Sequence, residues 1–292
     1  MKKSIIAAGV LALLASTGAK AADIVTYQDQ AVAAPSQINW TGFYVGGTIG
    51  GAWAESKTRL RGPMSEAGGG DKNNWGRIAK KTVNPDSFIG GIYAGYNFEI
   101  GALANTPFLK DVVFGVETDF LFNSGNDKGG KDIDAEYVNA GVNYGGWNLN
   151  GGDGARYKVR VKQKWNGATR FRAGYALGNE GRFMPYFATG VSYADIQAKG
   201  AVLSYRNGDD KYYTGEVGKH SQTKTRAGWN IGGGIDYVPP IMNDHLVLRA
   251  EYRFTDFGRD DYNVKDLNGN KKYNQVVKYY TNDFRVGVAY KF

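Results

Sequence analysis

From Trp40 onward, apolar residues fall on every second position over runs of about ten residues. The last run is the clearest: Phe284, Val286, Val288, Tyr290 and Phe292 alternate with Asp283, Arg285, Gly287, Ala289 and Lys291. Period two marks a strand with one apolar and one polar face. A soluble sandwich can end on such a strand, and so can an outer-membrane barrel, whose apolar face meets lipid. Seven earlier runs repeat the pattern. They start near Phe43, Phe88, Val112, Trp165, Phe183, Thr225 and Leu246. Ten residues is the length of a tilted transmembrane strand.

The connections between runs decide between the two classes. Those near 99–110, 177–181 and 238–244 are the shorter ones, and those near 54–86, 123–157, 195–224 and 258–280 are long. Long and short alternate strictly. A soluble domain rarely keeps four structureless loops of that length. The pattern therefore predicts an all-β fold: an eight-stranded antiparallel transmembrane β-barrel with four long extracellular loops and three shorter periplasmic turns. Pro at 35, 63, 85, 107, 239 and 240 sits off the runs, and Pro185 sits at the start of one, where a missing donor is tolerated.

The amino terminus predicts export. Lys2 and Lys3 precede an apolar stretch from Ile5 to Ala15, and Ala19-Lys20-Ala21 supplies a small-x-small cleavage site. This is the pattern of a signal peptide over 1–21. Residues 22–39 show no period and contain Pro35, so they are expected to be a flexible periplasmic lead-in to a barrel over 40–292. Both termini are then periplasmic, in the outer membrane of a Gram-negative cell.

The face opposite the apolar one carries an unusual set of charges. Glu117, Asp119, Asp236, Glu251 and Asp283 share it with Arg170, Arg172, Arg226, Arg249, Arg253 and Arg285. The interior of an eight-stranded barrel is just wide enough for side chains to fill. Buried charges must pair, and Arg forks take carboxylates bidentately. The set predicts an ion-pair plug, with Glu251 held by a neighbour such as Arg249 or Arg253 and with inward Gly making room for the arginines. Mean hydropathy is −0.43, which suits strands that are half polar. The chain has no Cys, so disulfides and thiolate metal sites are excluded.

Several segments then resemble a known family. W-T-G-F-Y-V-G-G-T-I-G at 40–50, F-G-V-E-T-D-F at 114–120, P-Y-F-A-T-G-V-S-Y at 185–193, A-E-Y-R-F-T-D-F-G at 250–258 and F-R-V-G-V-A-Y-K-F at 284–292 are similar to the 31-kilodalton immunogenic outer-membrane proteins of alphaproteobacteria. Their relatives include a group of hemin-binding barrels. The resemblance implies a surface-exposed, porin-like or structural protein of the envelope, with hemin capture as the alternative. The strand motifs are common to both groups and do not separate these roles.

Candidate chemistry is sparse. No G-x-S-x-G, H-E-x-x-H or Walker sequence occurs, and no metal ligand set stands out, so an enzyme is not expected. Ser221 adjoins His220, but neighbours on a strand face opposite ways, which argues against a hydrolase. A hemin site would draw on His220, Tyr212, Tyr213 and Lys219 in the third long connection. The other histidine, His245, opens the seventh run. Residues 54–86 hold Lys57, Arg59, Arg61, Lys72, Arg77, Lys80 and Lys81, a basic patch suited to lipopolysaccharide phosphates, hemin carboxylates or another polyanion, and equally the make-up of a solvated loop, which is the reading preferred for it. Expected partners are outer-membrane lipid and lipopolysaccharide, the barrel-assembly machinery reading Phe284 to Phe292, and hemin. Nucleic acid is not expected for a chain delivered to the cell surface.

Overall fold

The structure is a computed structural model, and it describes residues 37–66, 75–100, 106, 109–124, 142–144, 147–148, 154–178, 180–205, 213–266 and 271–292. The strands are β1 (Gly42–Glu66), β2 (Trp75–Val83), β3 (Asp86–Glu99), β4 (Val112–Asn123), β5 (Val142–Tyr144), β6 (Trp147–Asn148), β7 (Gly154–Tyr175), β8 (Phe183–Tyr205), β9 (Tyr213–Tyr237), β10 (Leu246–Asp266) and β11 (Lys271–Lys291). Long strands pair antiparallel with their neighbours from β3 through β4, β7, β8, β9 and β10 to β11. β1 joins the two ends, pairing with β3 from Gly42 to Trp53 and with β11 from Tyr44 to Arg61. The sheet is thereby closed, which removes the edges that an open sheet would expose.

The expected count of eight strands linked by four long loops is corrected. Among the described residues the sheet has eleven strands. Most of the segments assigned to loops continue the ladder: β1 runs 25 residues to Glu66, β9 runs 25 from Tyr213, and β8 runs 23 to Tyr205. β2 pairs back on β1, and the short β5 and β6 extend that edge. The reason is physical. Beyond the lipid the outer face turns polar while inward residues such as Val159, Val161, Ile196 and Ala198 stay buried, so the lipid-facing apolar row ends, while backbone N–H and C=O groups still require partners.

The apolar alternation survives where lipid lies. Phe43, Val45, Ile49 and Trp53 on β1, Phe88, Ile92 and Tyr96 on β3, and Phe284, Val286, Val288, Tyr290 and Phe292 at the carboxyl end are all exposed large apolar side chains. Intervening residues are buried in the interior, as the alternating burial of β4 illustrates. Rings cluster at the ends of this band, with Phe43 packed on Phe292 at 5.8 Å and Trp165 on Phe120 at 5.3 Å between centroids. Such belts are what the lipid–water interface selects.

At the end bearing the short connections, residues 37–40 are fixed to the sheet. Ile38 N donates to Glu180 O at 2.8 Å, and the Trp40 indole donates to Gly181 O at 2.8 Å. Gln37 Nε2 donates to Asp111 Oδ1 at 2.8 Å. Ile38 and Trp40 join Tyr44, Tyr93, Val113, Met184, Val238 and Val247 in an apolar cluster. The end of the expected lead-in thus caps this mouth of the barrel. Residues 1–36, with the expected signal peptide, lie outside the described residues.

Candidate functional site: a charged barrel interior

Each strand of the membrane band sends alternate side chains inward, and ten of these form one connected ion-pair network. Nearest the capped mouth, Asp236 accepts from Arg249 Nε at 2.8 Å, Arg249 Nη2 at 3.0 Å and Arg172 Nη2 at 2.5 Å. Arg249 also pairs with Glu117, and Arg172 Nη1 reaches Glu117 Oε2 at 3.3 Å. At mid-height Arg170 forks onto Glu251, with Nη1–Oε1 at 2.7 Å and Nη2–Oε2 at 3.0 Å, and touches Glu117 as well. Arg285 pairs with Glu251 and reaches Asp119 Oδ2 at 3.4 Å. Furthest from the capped mouth, Arg253 bridges Asp119 Oδ2 at 2.9 Å and Asp283 Oδ2 at 3.1 Å.

All ten residues are buried, at 8% exposure or less. Five carboxylates face five guanidinium groups, so the network is neutral. An unpaired ion here would cost several kcal/mol of desolvation, and multiple charge-assisted contacts offset that cost. A cavity of ≈ 10 Å³ remains among Thr48, Tyr93 and six of the charges. That is about the space one water needs. Around that cavity the ten buried charged side chains fill the interior of the membrane band.

Two expectations about this set are corrected. Arg226 is buried but stands outside the network: its Nη2 donates to Phe257 O at 2.6 Å and its Nη1 to Val277 O at 3.3 Å. It sits where β10 bulges after Asp256, which leaves backbone carbonyls needing a donor. Glu251 is held by Arg170 and Arg285 rather than by Arg249 or Arg253. Residues two apart on a strand point the same way, side by side, whereas a long guanidinium from a different strand meets the carboxylate head-on.

Three tyrosines escaped the sequence reading. Tyr44 OH donates to Glu117 Oε2 at 2.8 Å, and Tyr186 OH donates to Glu251 Oε2 at 2.5 Å. The Arg172 guanidinium lies 3.9 Å from the Tyr186 ring centroid, and Arg249 lies 4.5 Å from that of Tyr93. Their rings wall the cations with aromatic faces. The alternation did put Tyr44 opposite Phe43 and Val45, so its inward position was available in the sequence. The inward glycines serve these rings more than the arginines. A Cβ at Gly95 would come within 2.4 Å of Tyr44 OH, and one at Gly234 within 2.8 Å of Tyr186 OH.

The expected hemin residues are only partly described. Tyr212 lies outside the described residues. The backbones of Tyr213, Lys219 and His220 belong to β9, opposite Tyr205, Ala201 and Gly200 of β8. Their side chains lie outside what the structure describes, as do those of Arg61, Arg77, Lys80 and Lys81, and the whole of Lys72. Lys57, from the expected basic patch, forms a 3.2 Å ion pair with Glu55. His245 sits at the capped end, its Nδ1 2.6 Å from Lys291 O and its ring stacked on Tyr290.

A closed antiparallel sheet with an apolar outer band and a charged, packed interior defines a class of membrane protein, and sequence comparison agrees with it. The family model described as "Outer membrane protein beta-barrel domain" matches residues 9–292. The chain belongs to that family. It is 31% identical over 294 residues to the 31 kDa outer-membrane immunogenic protein of Brucella melitensis, covering 99% of this chain and 100% of the relative. The 25 kDa outer-membrane immunogenic protein of the same organism is 28% identical over 294 residues, covering 99% and 98%. A 22 kDa outer membrane protein of Rhizobium leguminosarum bv. viciae is 25% identical over 254 residues, covering 87% and 79%. The resemblance to the 31-kilodalton immunogenic group is thus established, and the chain is a β-barrel of the outer membrane.

Proposed function

We propose that this barrel is a structural, surface-exposed element of the outer membrane whose monomer is closed to solutes. The observation that carries this reading is the interior network, in which ten buried charges neutralise one another around a cavity of ≈ 10 Å³. An aqueous channel is a property of barrels of 16 or more strands, whose lumen side chains leave free width. The capped end faces the periplasm and the polar strand extensions stand outside the cell. The short connections at the capped end support that orientation, because outer-membrane barrels keep short turns on the periplasmic side. Larger pores, where they occur, come from oligomers or a rearranged barrel.

Planar-bilayer recordings on verified monomer test the closure. Negligible unitary conductance is expected, and a steady, large conductance overturns the reading. Labelling Ser221→Cys in intact cells with a membrane-impermeant maleimide tests the orientation, since Ser221 is exposed on β9 beyond the apolar band. Hemin capture through His220, Tyr212, Tyr213 and Lys219 is the second reading. Its support is the register that sets Tyr213, Lys219 and His220 on β9 well beyond Trp229, where the apolar band ends.

A further inference from the structure

On the outer wall formed by β7 and β8, a group of cations stands directly above the aromatic belt. Arg160, Lys164 and Lys199 are exposed, while Val159, Val161, Ile196 and Ala198 between them are buried, so the cations share the outer face. Lys162 lies on the same face. Arg160 and Lys199 are register partners on adjacent strands. Like charges directly opposite destabilise a sheet unless an anion lies between them.

Nothing within the described residues supplies that anion to Arg160, Lys164 or Lys199. The nearby carboxylate, Asp195, has both oxygens engaged: Oδ2 accepts from the Trp165 indole at 3.1 Å and Oδ1 from the Thr225 hydroxyl at 2.5 Å. The β1–β11 wall differs at comparable height. There Lys57 pairs with Glu55 at 3.2 Å and Lys278 with Asp256 at 3.5 Å.

The vertical spacing identifies the ligand. A bulge in β7 between Gln163 and Asn166 puts Lys164 beside Trp165, whose ring stacks on Phe120 in the belt. Lys164 is therefore at headgroup level. Arg160 and Lys199 lie about 13 Å further along the strand at about 3.3 Å per residue, or about 9 Å higher at a 45° tilt. An ordinary phospholipid presents its phosphate at one height. Lipopolysaccharide presents anions at two: the phosphates of its lipid-anchored disaccharide, and the phosphates and carboxylates of its inner core sugars.

We propose that Arg160, Lys164 and Lys199, with Trp165 beneath them, form a lipopolysaccharide-binding face on β7–β8. It rests on the outward orientation of the strand extensions argued above. Lys164 meets the disaccharide phosphate, Trp165 packs on the adjoining acyl chain, and Arg160 with Lys199 clamps a core anion. The basic stretch within 54–86, where the sequence offered lipopolysaccharide as one option beside a solvated loop, has Lys57 already paired with Glu55.

The test uses folded, heat-modifiable full-length barrel in detergent and fluorescently labelled bisphosphorylated lipopolysaccharide. Affinity is expected to fall about 100-fold in the triple variant Arg160→Glu, Lys164→Glu, Lys199→Glu, at roughly a factor of five per cation near a membrane anion. The neutral triple variant to Gln guards against misfolding and is expected to lose most of the same affinity. Lys57→Glu is expected to bind as wild type does. Dephosphorylated lipopolysaccharide, which keeps its core carboxylates, is expected to bind wild type more weakly than the bisphosphorylated form does. Equal binding by wild type and the folded Gln variant overturns the proposal. So does phosphatidylglycerol that competes mole for mole. A barrel inserted the other way fails maleimide labelling at Ser221→Cys yet still binds in detergent, so the two failures are separable.

Discussion

Arg170 on β7 and Glu251 on β10 meet across the barrel interior as a two-pronged pair, 2.7 and 3.0 Å between heavy atoms, although neither strand is the other's neighbour in the sheet. Each shares itself further, Arg170 with Glu117 and Glu251 with Arg285. A pair that spans the lumen ties opposite walls together.

Removing one partner of this pair is the sharpest test of the interior. Glu251→Ala leaves the buried network one negative charge short, with Arg170 and Arg285 keeping only Glu117 and Asp119 as partners, at a cost of roughly 3–5 kcal/mol. Urea unfolding in lipid vesicles, followed by heat-modifiable mobility, is expected to show a loss of that size. Glu251→Gln keeps the shape and is expected to lose less. A Glu251→Ala barrel as stable as wild type means the pair is solvated and the interior open. Bilayer recordings on the same variant are expected to show brief conducting events absent from wild type.

The carboxyl-terminal strand should govern assembly. Phe284, Val286, Val288, Tyr290 and Phe292 form a continuous exposed apolar row. Phe292 N donates to Phe43 O at 2.9 Å, closing the ladder between the chain's last residue and β1. Deleting Phe292 is expected to reduce outer-membrane levels several-fold while leaving export to the periplasm unchanged. Quantifying folded and unfolded forms in membrane fractions checks this. Wild-type levels of folded protein would remove the residue from the assembly signal.

Hemin binding makes a contrast between the two histidines. His220→Ala is expected to weaken a hemin Soret shift. His245→Ala is not, because that imidazole is engaged with Lys291 O and Tyr290 at the capped end. Equal losses from both variants, or none, exclude the site on β9.

Alkaline pH should loosen the strand extension. Burial pushes the Tyr262 hydroxyl up to about 12, against the opposing pull of Arg226. The hydroxyl donates to Ile196 O at 3.3 Å inside the extension. In the unfolded chain a phenol ionises near pH 10. The folded state therefore holds a proton that the unfolded state releases. Its contribution is full below about pH 10 and disappears as pH rises through about 12. Hydrogen exchange of β8 and β10 amides is expected to show this transition in wild type and to lose it in Tyr262→Phe.

The period-two pattern was enough to find the membrane band, because lipid imposes it residue by residue. Phe43, Ile49 and Trp53 or Phe284, Val286 and Val288 must be apolar whatever lies around them, and each is exposed on the outer face. The same parity put Glu117, Arg170 and Glu251 on the opposite, buried face. Strand number and loop length were misjudged for a related reason. Beyond the belt the outer face turns polar, as at Arg160, Lys164 and Lys199, while inward residues such as Val159, Val161, Ile196 and Ala198 stay buried, so the lipid-facing apolar row stops although the strands continue.

What the sequence determined by itself is the local rule: which residues alternate, where the belts stand, which charges are turned inward. Pairing belongs to the tertiary structure. Glu251 meets Arg170 and not Arg249 because closure of the sheet brings a distant strand's guanidinium head-on to the carboxylate, while same-strand neighbours lie parallel. Arg226 leaves the network because a bulge in β10 exposes Phe257 O to it. Arg160 and Lys199 become a cluster because the register of β7 on β8 sets them opposite each other, 39 positions apart in the chain. Register and closure are properties of the whole ring of strands, fixed by where every backbone hydrogen bond finds its partner, and no single segment encodes them.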